Sequence, residues 1–349
     1  MSKTRFKKYG ANTGDPRIDT LIRQLVRDIG PGENADLVEE LISSAIGVYR
    51  DGLERGDMKI INTAVKELRR SLHVFEPYRA IRKVAVFGSA RTPRTDPNYQ
   101  ITLKFSKAIV RKQWMVITGA ASGIMEAGNA GAGSKGSFGM NIRLPFEQEA
   151  NSVILKDPKL VTFKYFFTRK LMFLRESHAT ILCPGGYGTH DEGFETLTLV
   201  QTGKTEPRPI VCLDAPGSTY WQDFKEFLEK QLVKNEMIHP DDIDLMFFTQ
   251  DADEAVDHIL NFYHRYHSMR YIRDLLVLRI EKALTESQLD DLNRRFASII
   301  RKGKIQQSLK PFEEEKNAPH TFHLPRLSFY FKKDCHHVLK KMIDAINSF

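Results

Sequence analysis

This chain has little cysteine, no long apolar run and no repeated or low-complexity segment, and each absence removes a class of protein. Its three cysteines, Cys183, Cys212 and Cys335, are scattered through 349 residues. No pair has the spacing of a disulfide framework or a zinc knuckle, so a reducing cytoplasm is the expected location. No His/Cys cluster in the sequence suggests a metal, and none is expected. No stretch approaches the roughly 20 apolar residues that cross a bilayer. The basic start, Met1 to Lys8, is not followed by the apolar core of a secretory signal. A soluble protein without membrane contact is expected, and a composition 41% hydrophobic and 28% charged fits a globular one.

What the chain does have is length for about two domains and a net charge of +8 that is unevenly placed. From residue 268 onward there are sixteen Lys and Arg against ten Asp and Glu. Most of the surplus therefore sits in the tail, where it is either solvated surface or a site for a polyanion.

The most informative stretch is Pro184-Gly185-Gly186-Tyr187-Gly188-Thr189-His190-Asp191-Glu192. It follows Ala179 to Cys183, a short, apolar, β-prone run that reads as a buried strand, and precedes Phe194, Leu197, Leu199 and Val200 at roughly helical spacing. Glycines at a strand-to-helix turn let an anion approach the backbone N–H groups and the positive end of the helix. Thr189-x-x-Glu192 also reads as a capping box, in which Thr caps the helix and Glu reaches back. A cap needs no glycine loop, which favours a phosphate cradle with an adjacent acid.

Around this stretch the pattern alternates strands and helices. A strand at Lys83–Phe87 ends in Gly88 and Ser89, and a helix covers about Tyr99 to Lys112. A strand from Trp114 to Thr118 opens into Gly119-Ala120-Ala121-Ser122-Gly123-Ile124-Met125-Glu126, and a further strand lies near Phe138 to Leu144. An aromatic helix over Phe163–Phe173 carries Arg169 and Lys170. Beyond the motif come a strand at Pro209–Asp214, a helix over Tyr220–Lys234, a strand at Leu245–Phe248 and a helix from Asp251 to His267. Residues 81–267 thus predict a Rossmann-like, doubly wound parallel α/β sheet, with its ligand crevice at the small-residue strand ends.

Residues 1–80 predict a helical module for packing or assembly. Residues 1–16 read as disordered, and three apolar helical faces follow, the first on Ile18, Leu21, Ile22, Leu25, Val26 and Ile29 and closed by Gly30-Pro31-Gly32. Residues 268–349 predict a small α+β domain: a strand at Leu275–Ile280, a helix after Thr285, a loop over 308–325, a strand at Leu327–Phe331 and a last helix. Arg294, Arg295, Arg301, Lys302 and Lys304 are expected around the end of the helix after Thr285, where cations complement its dipole.

Three blocks together resemble the LOG family, the nucleotide phosphoribohydrolases formerly described as possible lysine decarboxylases. They are Gly119 to Glu126, Arg169-Lys170 with Met172, and Pro184 to Thr189 with Glu192, which matches PGGxGTxxE. The resemblance covers about 81–267, and the flanking segments are more like larger bacterial nucleotide nucleosidases. It implies cleavage of the N-glycosidic bond of a nucleoside 5′-monophosphate, an AMP-like purine nucleotide before a cytokinin precursor. It also implies a homodimer or higher oligomer, with the active site near the subunit interface. Glu192 then stabilises the oxocarbenium-like state or activates water, and Arg169 holds phosphate or polarises the departing base. Gly185, Gly186, Gly188 and Thr189 bind phosphate, with Lys170, Gly88, Ser89, Gly119, Gly123 and Met125 as further substrate contacts. Ala120-Ala121 stands where the family commonly has glycines.

Rival readings are a non-enzymatic nucleotide sensor, which needs neither Arg169 nor Glu192, and a nucleic-acid-binding protein, for which no motif is present. A lysine decarboxylase would need a Schiff-base lysine and a pyridoxal phosphate site, and only a phosphate cradle is visible. No cofactor is expected. For the tail, an anionic effector such as a polyphosphorylated nucleotide is the expected partner.

Overall fold

The computed structural model describes residues 12–30, 32–145, 149–333 and 335–349. They fall into two compact units, 1–69 and 70–349. The first unit contains α1 (Pro16–Ile29), α2 (Ala35–Arg50) and most of α3 (Arg55–Phe75). Residues 1–11 and Pro31, parts of the expected disordered start and helix stop, lie outside the described residues. From Thr13 the chain is ordered: Asp15 caps α1 through the Arg17 N–H, and Thr13 donates twice to Asp19. Of the expected first apolar face only Ile22 and Val26 are buried, whereas Leu21, Leu25 and Ile29 stay exposed.

In the second unit β1 (Lys83–Phe87), α4 (Pro97–Arg111), β2 (Met115–Thr118), α5 (Ile124–Ala132) and β3 (Ser137–Ile142) follow the expected alternation. The aromatic segment then departs from it. Leu160–Phe163 is a strand, β4, and the helix α6 begins only at Phe166 and runs to Glu176. β-Branched and aromatic residues in Leu160-Val-Thr-Phe163 suit an edge position beside β3. After β5 (Ala179–Leu182) come α7 (Tyr187–Gln201), β6 (Ile210–Leu213), α8 (Tyr220–Phe227), β7 (Met246–Thr249) and α9 (Ala252–Phe262). The expected helix over Tyr220–Lys234 keeps its α form only to Phe227 and continues as a π-helical turn, Leu228–Val233.

These strands form a seven-stranded sheet in the order β4-β3-β2-β1-β5-β6-β7, every pair parallel. This is a Rossmann-like α/β fold, and its strand order reverses between β1 and β5. Strands buried on both faces read as apolar runs, which is why Val84, Val86, Val116, Ile181 and Val211 share one core with Phe105, Ile109 and Ile259 from the helices.

The tail begins earlier than the helical reading of 251–267 allows. α9 stops at Phe262, and Tyr266–Ile272 is a strand, β8, paired with β9 (Leu275–Ile280). After α10 (Glu286–Arg295) a further strand, β10 (Ile300–Ser308), precedes β11 (Arg326–Phe331) and α11 (His336–Ser348). The four strands form an antiparallel sheet, β10-β11-β9-β8, over a core that includes Tyr266, Leu278, Leu327, Phe329, Leu339 and Met342. Arg301, Lys302 and Lys304 therefore lie on β10 and not at a helix end. Lys-Gly-Lys inside that strand masks its period-two pattern and leaves residues 301–304 exposed. No helix among the described residues is long and apolar enough to cross a membrane.

Candidate active site

A cleft of about 740 Å³ opens at the carboxyl ends of β1, β2 and β5, where the strand order reverses. In doubly wound sheets this is where ligands bind, and the volume lies within the usual range for small-molecule sites. Gly88 and Ser89 from β1, Gly119 after β2, Met125 on α5, Arg169 on α6, and Gly185, Gly186, Gly188, Thr189 and Glu192 all line it. Gly123 and Lys170 do not belong to the lining.

The glycine turn is built from close backbone approach. A Cβ on Gly185 would stand 2.1 Å from Thr189 Oγ1 and 3.0 Å from the Ser89 nitrogen. The Ser89 N–H donates to the Pro184 carbonyl at 3.1 Å, tying the ends of β1 and β5 together. α7 starts at Tyr187 with Gly186 as its cap residue and no capping side chain, so Thr189 and Glu192 lie inside the helix. The capping-box reading of Thr189 and Glu192 therefore fails. The chain enters the helix three residues earlier than that pattern supposes, and its first-turn residues Tyr187, Gly188 and Thr189 line the cleft.

Gly123 has a different job. With φ at +65°, its Cβ would meet the Ser89 carbonyl oxygen at 2.3 Å, and Ile124 N–H donates to that same oxygen at 3.0 Å. It presses the β2 turn against the β1 turn. Ala120 also carries a positive φ, 64°, which costs an L-residue about 1–2 kcal/mol. Asn151 offsets it: its N–H donates to the Ala120 carbonyl at 2.7 Å, and its side-chain amide donates to the Ala120 and Ala121 carbonyls at 3.1 Å each. Alanine is thus accommodated at a glycine-like position, and Ala121 lines the cleft.

Two charged side chains converge on the cleft, one buried and one half-buried. Glu192, 5% exposed, has its carboxyl pushed up to about 7 by burial, against the pull of Lys170 and then Arg169. Arg169 is held below its ordinary value by burial, opposed by Glu192 and Asp191. Its guanidinium lies over the Phe166 ring at 5.0 Å, and its buried Nε has no hydrogen-bond partner among the described residues. An unsatisfied buried N–H costs roughly 1–3 kcal/mol, which an incoming anion or carbonyl would recover. Lys170 is otherwise engaged: its ammonium lies 2.8 Å from Asp191, 2.9 Å from Glu195 and 4.0 Å from Glu192.

Phe87, Ala90, Arg91, Asn141, Phe173, Tyr187 and His190 also line the cleft, unnoticed in the sequence. His190 Nε2 lies 2.7 Å from the Tyr220 hydroxyl, and that hydroxyl donates to the Gly185 carbonyl, so α8 braces the turn. Asn141 was findable by the same strand-end rule that singled out Ser89, and His190 lies inside the motif itself.

Residues 117–259 match the model of a family described as "Possible lysine decarboxylase". No curated protein matches the chain. Among solved structures, the molybdenum cofactor binding protein from the phototrophic bacterium Rippkaea orientalis is 18% identical, covering 52% of this chain and 94% of that one, with a TM-score of 0.35. The molybdenum cofactor carrier protein from Chlamydomonas reinhardtii is also 18% identical, over 52% and 96%, with a TM-score of 0.36. DNA processing protein A from Streptococcus pneumoniae is 10% identical, over 68% and 86%, with a TM-score of 0.37. At such scores the fold assignment rests on the strand order of this chain itself. All three blocks that resemble the LOG family, Gly119 to Glu126, Arg169-Lys170 with Met172, and Pro184 to Thr189 with Glu192, lie within the matched residues 117–259.

Proposed function

We propose that the second unit hydrolyses the N-glycosidic bond of a nucleoside 5′-monophosphate, an AMP-like purine nucleotide in particular, to free base and ribose 5-phosphate. One observation carries the reading: Arg169, with an unpartnered buried Nε, and Glu192, with a carboxyl titrating near 7, face the same cleft as the glycine turn. A site that only held a nucleotide would gain nothing from burying an acid at such cost. In this reading the phosphate rests on Gly185, Gly186, Gly188 and the N-terminus of α7. The C1′–N bond breaks, water forms the new C1′–O bond, and one of its protons ends on the departing base. The Glu192 carboxylate stabilises the oxocarbenium-like state or takes the water proton, and Arg169 holds phosphate or base.

The assembly we infer is a homodimer or higher oligomer, an expectation consistent with the exposed Leu21, Leu25 and Ile29 of the first unit. The basic tail we assign to an anionic effector. Incubating the protein with a panel of nucleoside monophosphates and following free base by chromatography tests the main proposal. AMP should be turned over without added cofactor, and adenosine poorly. Equal turnover of the two would remove the phosphate anchor, and no release from any nucleotide would leave a binding protein.

A further inference from the structure

Outside the cleft, among the described residues, the fold assembles a group of metal-binding side chains that the sequence keeps in distant segments. His239 precedes the 3₁₀ turn Pro240–Leu245, Asp241 is in that turn, and His337 is in the first turn of α11. Each offers a ligand atom, and the three atoms lie within 4.8 Å of one another. The two imidazoles stack face to face, with centroids 4.6 Å apart and planes 21° from parallel.

Tetrahedral zinc binds His nitrogen and carboxylate oxygen at about 2.0–2.2 Å, which puts its ligand atoms roughly 3.3 Å from each other. Side-chain rotation supplies that contraction, because none of the three is deeply buried: His239 is exposed, and Asp241 and His337 are half-buried. The turn carrying two of the ligands is already fixed. Its His239 N–H donates to Asp242 Oδ2 at 2.9 Å, and Gln201 on α7 donates to that same oxygen at 2.6 Å. His239 Nδ1 accepts the Asp241 N–H at 3.2 Å and lies 3.9 Å from Asp241 Oδ2, so the turn itself holds these two side chains together.

Among the described residues, Lys341 is the cation paired with Asp241, at 2.9 Å. It has a second carboxylate, Asp244, at 3.5 Å, onto which it can move when a cation takes Asp241. Two imidazoles and one carboxylate are a donor set of intermediate softness, suited to zinc and to its neighbours nickel and copper, and poor for magnesium or calcium.

We propose that His239, Asp241 and His337 bind one divalent transition-metal ion of the zinc type. The ion joins the start of α11 to the Pro240–Leu245 turn of the parallel-sheet region, with water completing its coordination. It is a staple between two parts of one unit and takes no part in the chemistry of the cleft, whose lining includes none of these residues.

The test uses the full chain, free of any histidine tag, with zinc alone as the probe. Calorimetry should show one tight equivalent, and Tm should rise by several degrees in zinc, since an ion that binds only the folded state stabilises it. His337→Gln and Asp241→Asn should each lose that equivalent and the zinc-dependent rise. Comparing each variant with and without zinc keeps the result readable even if a variant melts lower on its own. The proposal is overturned if the wild type takes up no zinc, or if both variants keep the equivalent and the rise.

Discussion

Two buried glutamates in this chain have opposite fates. Glu315, in the tail, is fully buried, and burial alone would raise its carboxyl. The Phe312 N–H at 2.9 Å and the guanidinium groups of Arg279 and Arg326 outweigh that and hold it below its usual range. Glu192, in the parallel-sheet region, is nearly as buried, yet its nearest cation is Lys170 at 4.0 Å and its carboxyl is pushed up to about 7. The arginines differ in the same way. Arg326 places its three nitrogens on Glu315, Phe322, Leu324 and Thr321, whereas Arg169 leaves Nε without a partner. A charge whose partners are all supplied by the protein holds the fold together. A charge left short of partners at the mouth of a helix is waiting for a ligand.

The largest effect that sharpens this contrast is expected at Glu192. Glu192→Gln should lower turnover of the nucleotide by about two to four orders of magnitude, the usual scale for an acid–base or charge-stabilising group. Nucleotide affinity should be kept, as equilibrium binding would show. The wild-type rate should rise with pH to a plateau, with its inflection near 7, as the carboxylate forms. Stability should move the other way. An acid whose value is raised in the folded state holds its proton more tightly there, so its contribution is present below about 4.5 and is lost as pH rises through about 7. Glu192→Gln should therefore be more stable than wild type at pH 8, by on the order of 3 kcal/mol, and close to it at pH 4. A variant that loses stability at pH 8 would make Glu192 a structural residue like Glu315.

Arg326→Leu should do the reverse. Arg326 on β11 stands directly across from Arg279 on β9, and Glu315 accepts from both. Removing one arginine leaves the buried carboxylate half compensated and three backbone carbonyls with one donor fewer each. A loss of about 3–5 kcal/mol is expected in urea or thermal unfolding. Turnover per folded molecule should be unchanged, because no member of this network lines the cleft. A fall in turnover without a fall in stability would break the division between the two regions.

How much of this was legible in the sequence follows from the same contrast. The parallel sheet was legible because its strands are short apolar runs bounded by glycine turns, and the cleft because those turns lie at strand ends. Glu192 and Arg169 stood out as charged residues in or beside a motif. The strand Leu160–Phe163 was hidden because aromatic residues on both sides of Lys164 made one continuous helical reading. The strand Ile300–Ser308 was hidden because Arg301, Lys302 and Lys304 face solvent and hide the period of two. Glu315, in a charge-rich loop, gave no sign of burial: only the fold brings Arg279 and Arg326 to it. The cluster of His239, Asp241 and His337 was equally invisible, since its members are joined by packing alone.

The smallest effect concerns the basic surface of the tail, where an anionic effector is proposed. Arg294 and Arg295 pair with Asp291 at 2.7 and 3.1 Å, and Arg301 pairs with Asp274 at 3.1 Å, all with at least one well-exposed partner. Exposed pairs of this kind contribute about 0–1 kcal/mol each. Cutting the chain near His267 would be a poor test. Tyr266 and Met269 both donate to Glu206, and Asn347 on α11 accepts from the Arg265 and Tyr266 N–H groups, so a truncated chain loses internal hydrogen bonds along with the tail. Point changes are cleaner. Arg294→Gln with Arg301→Gln should shift unfolding by no more than about 1 kcal/mol and leave basal turnover as it was. If the tail holds a polyanion, any change in rate or melting caused by inorganic triphosphate or ATP should fall in the double variant and weaken in high salt. An undiminished response would place the anion elsewhere and leave these arginines as solvated surface, with neither the unmet hydrogen bond of Arg169 nor the structural load of Arg326.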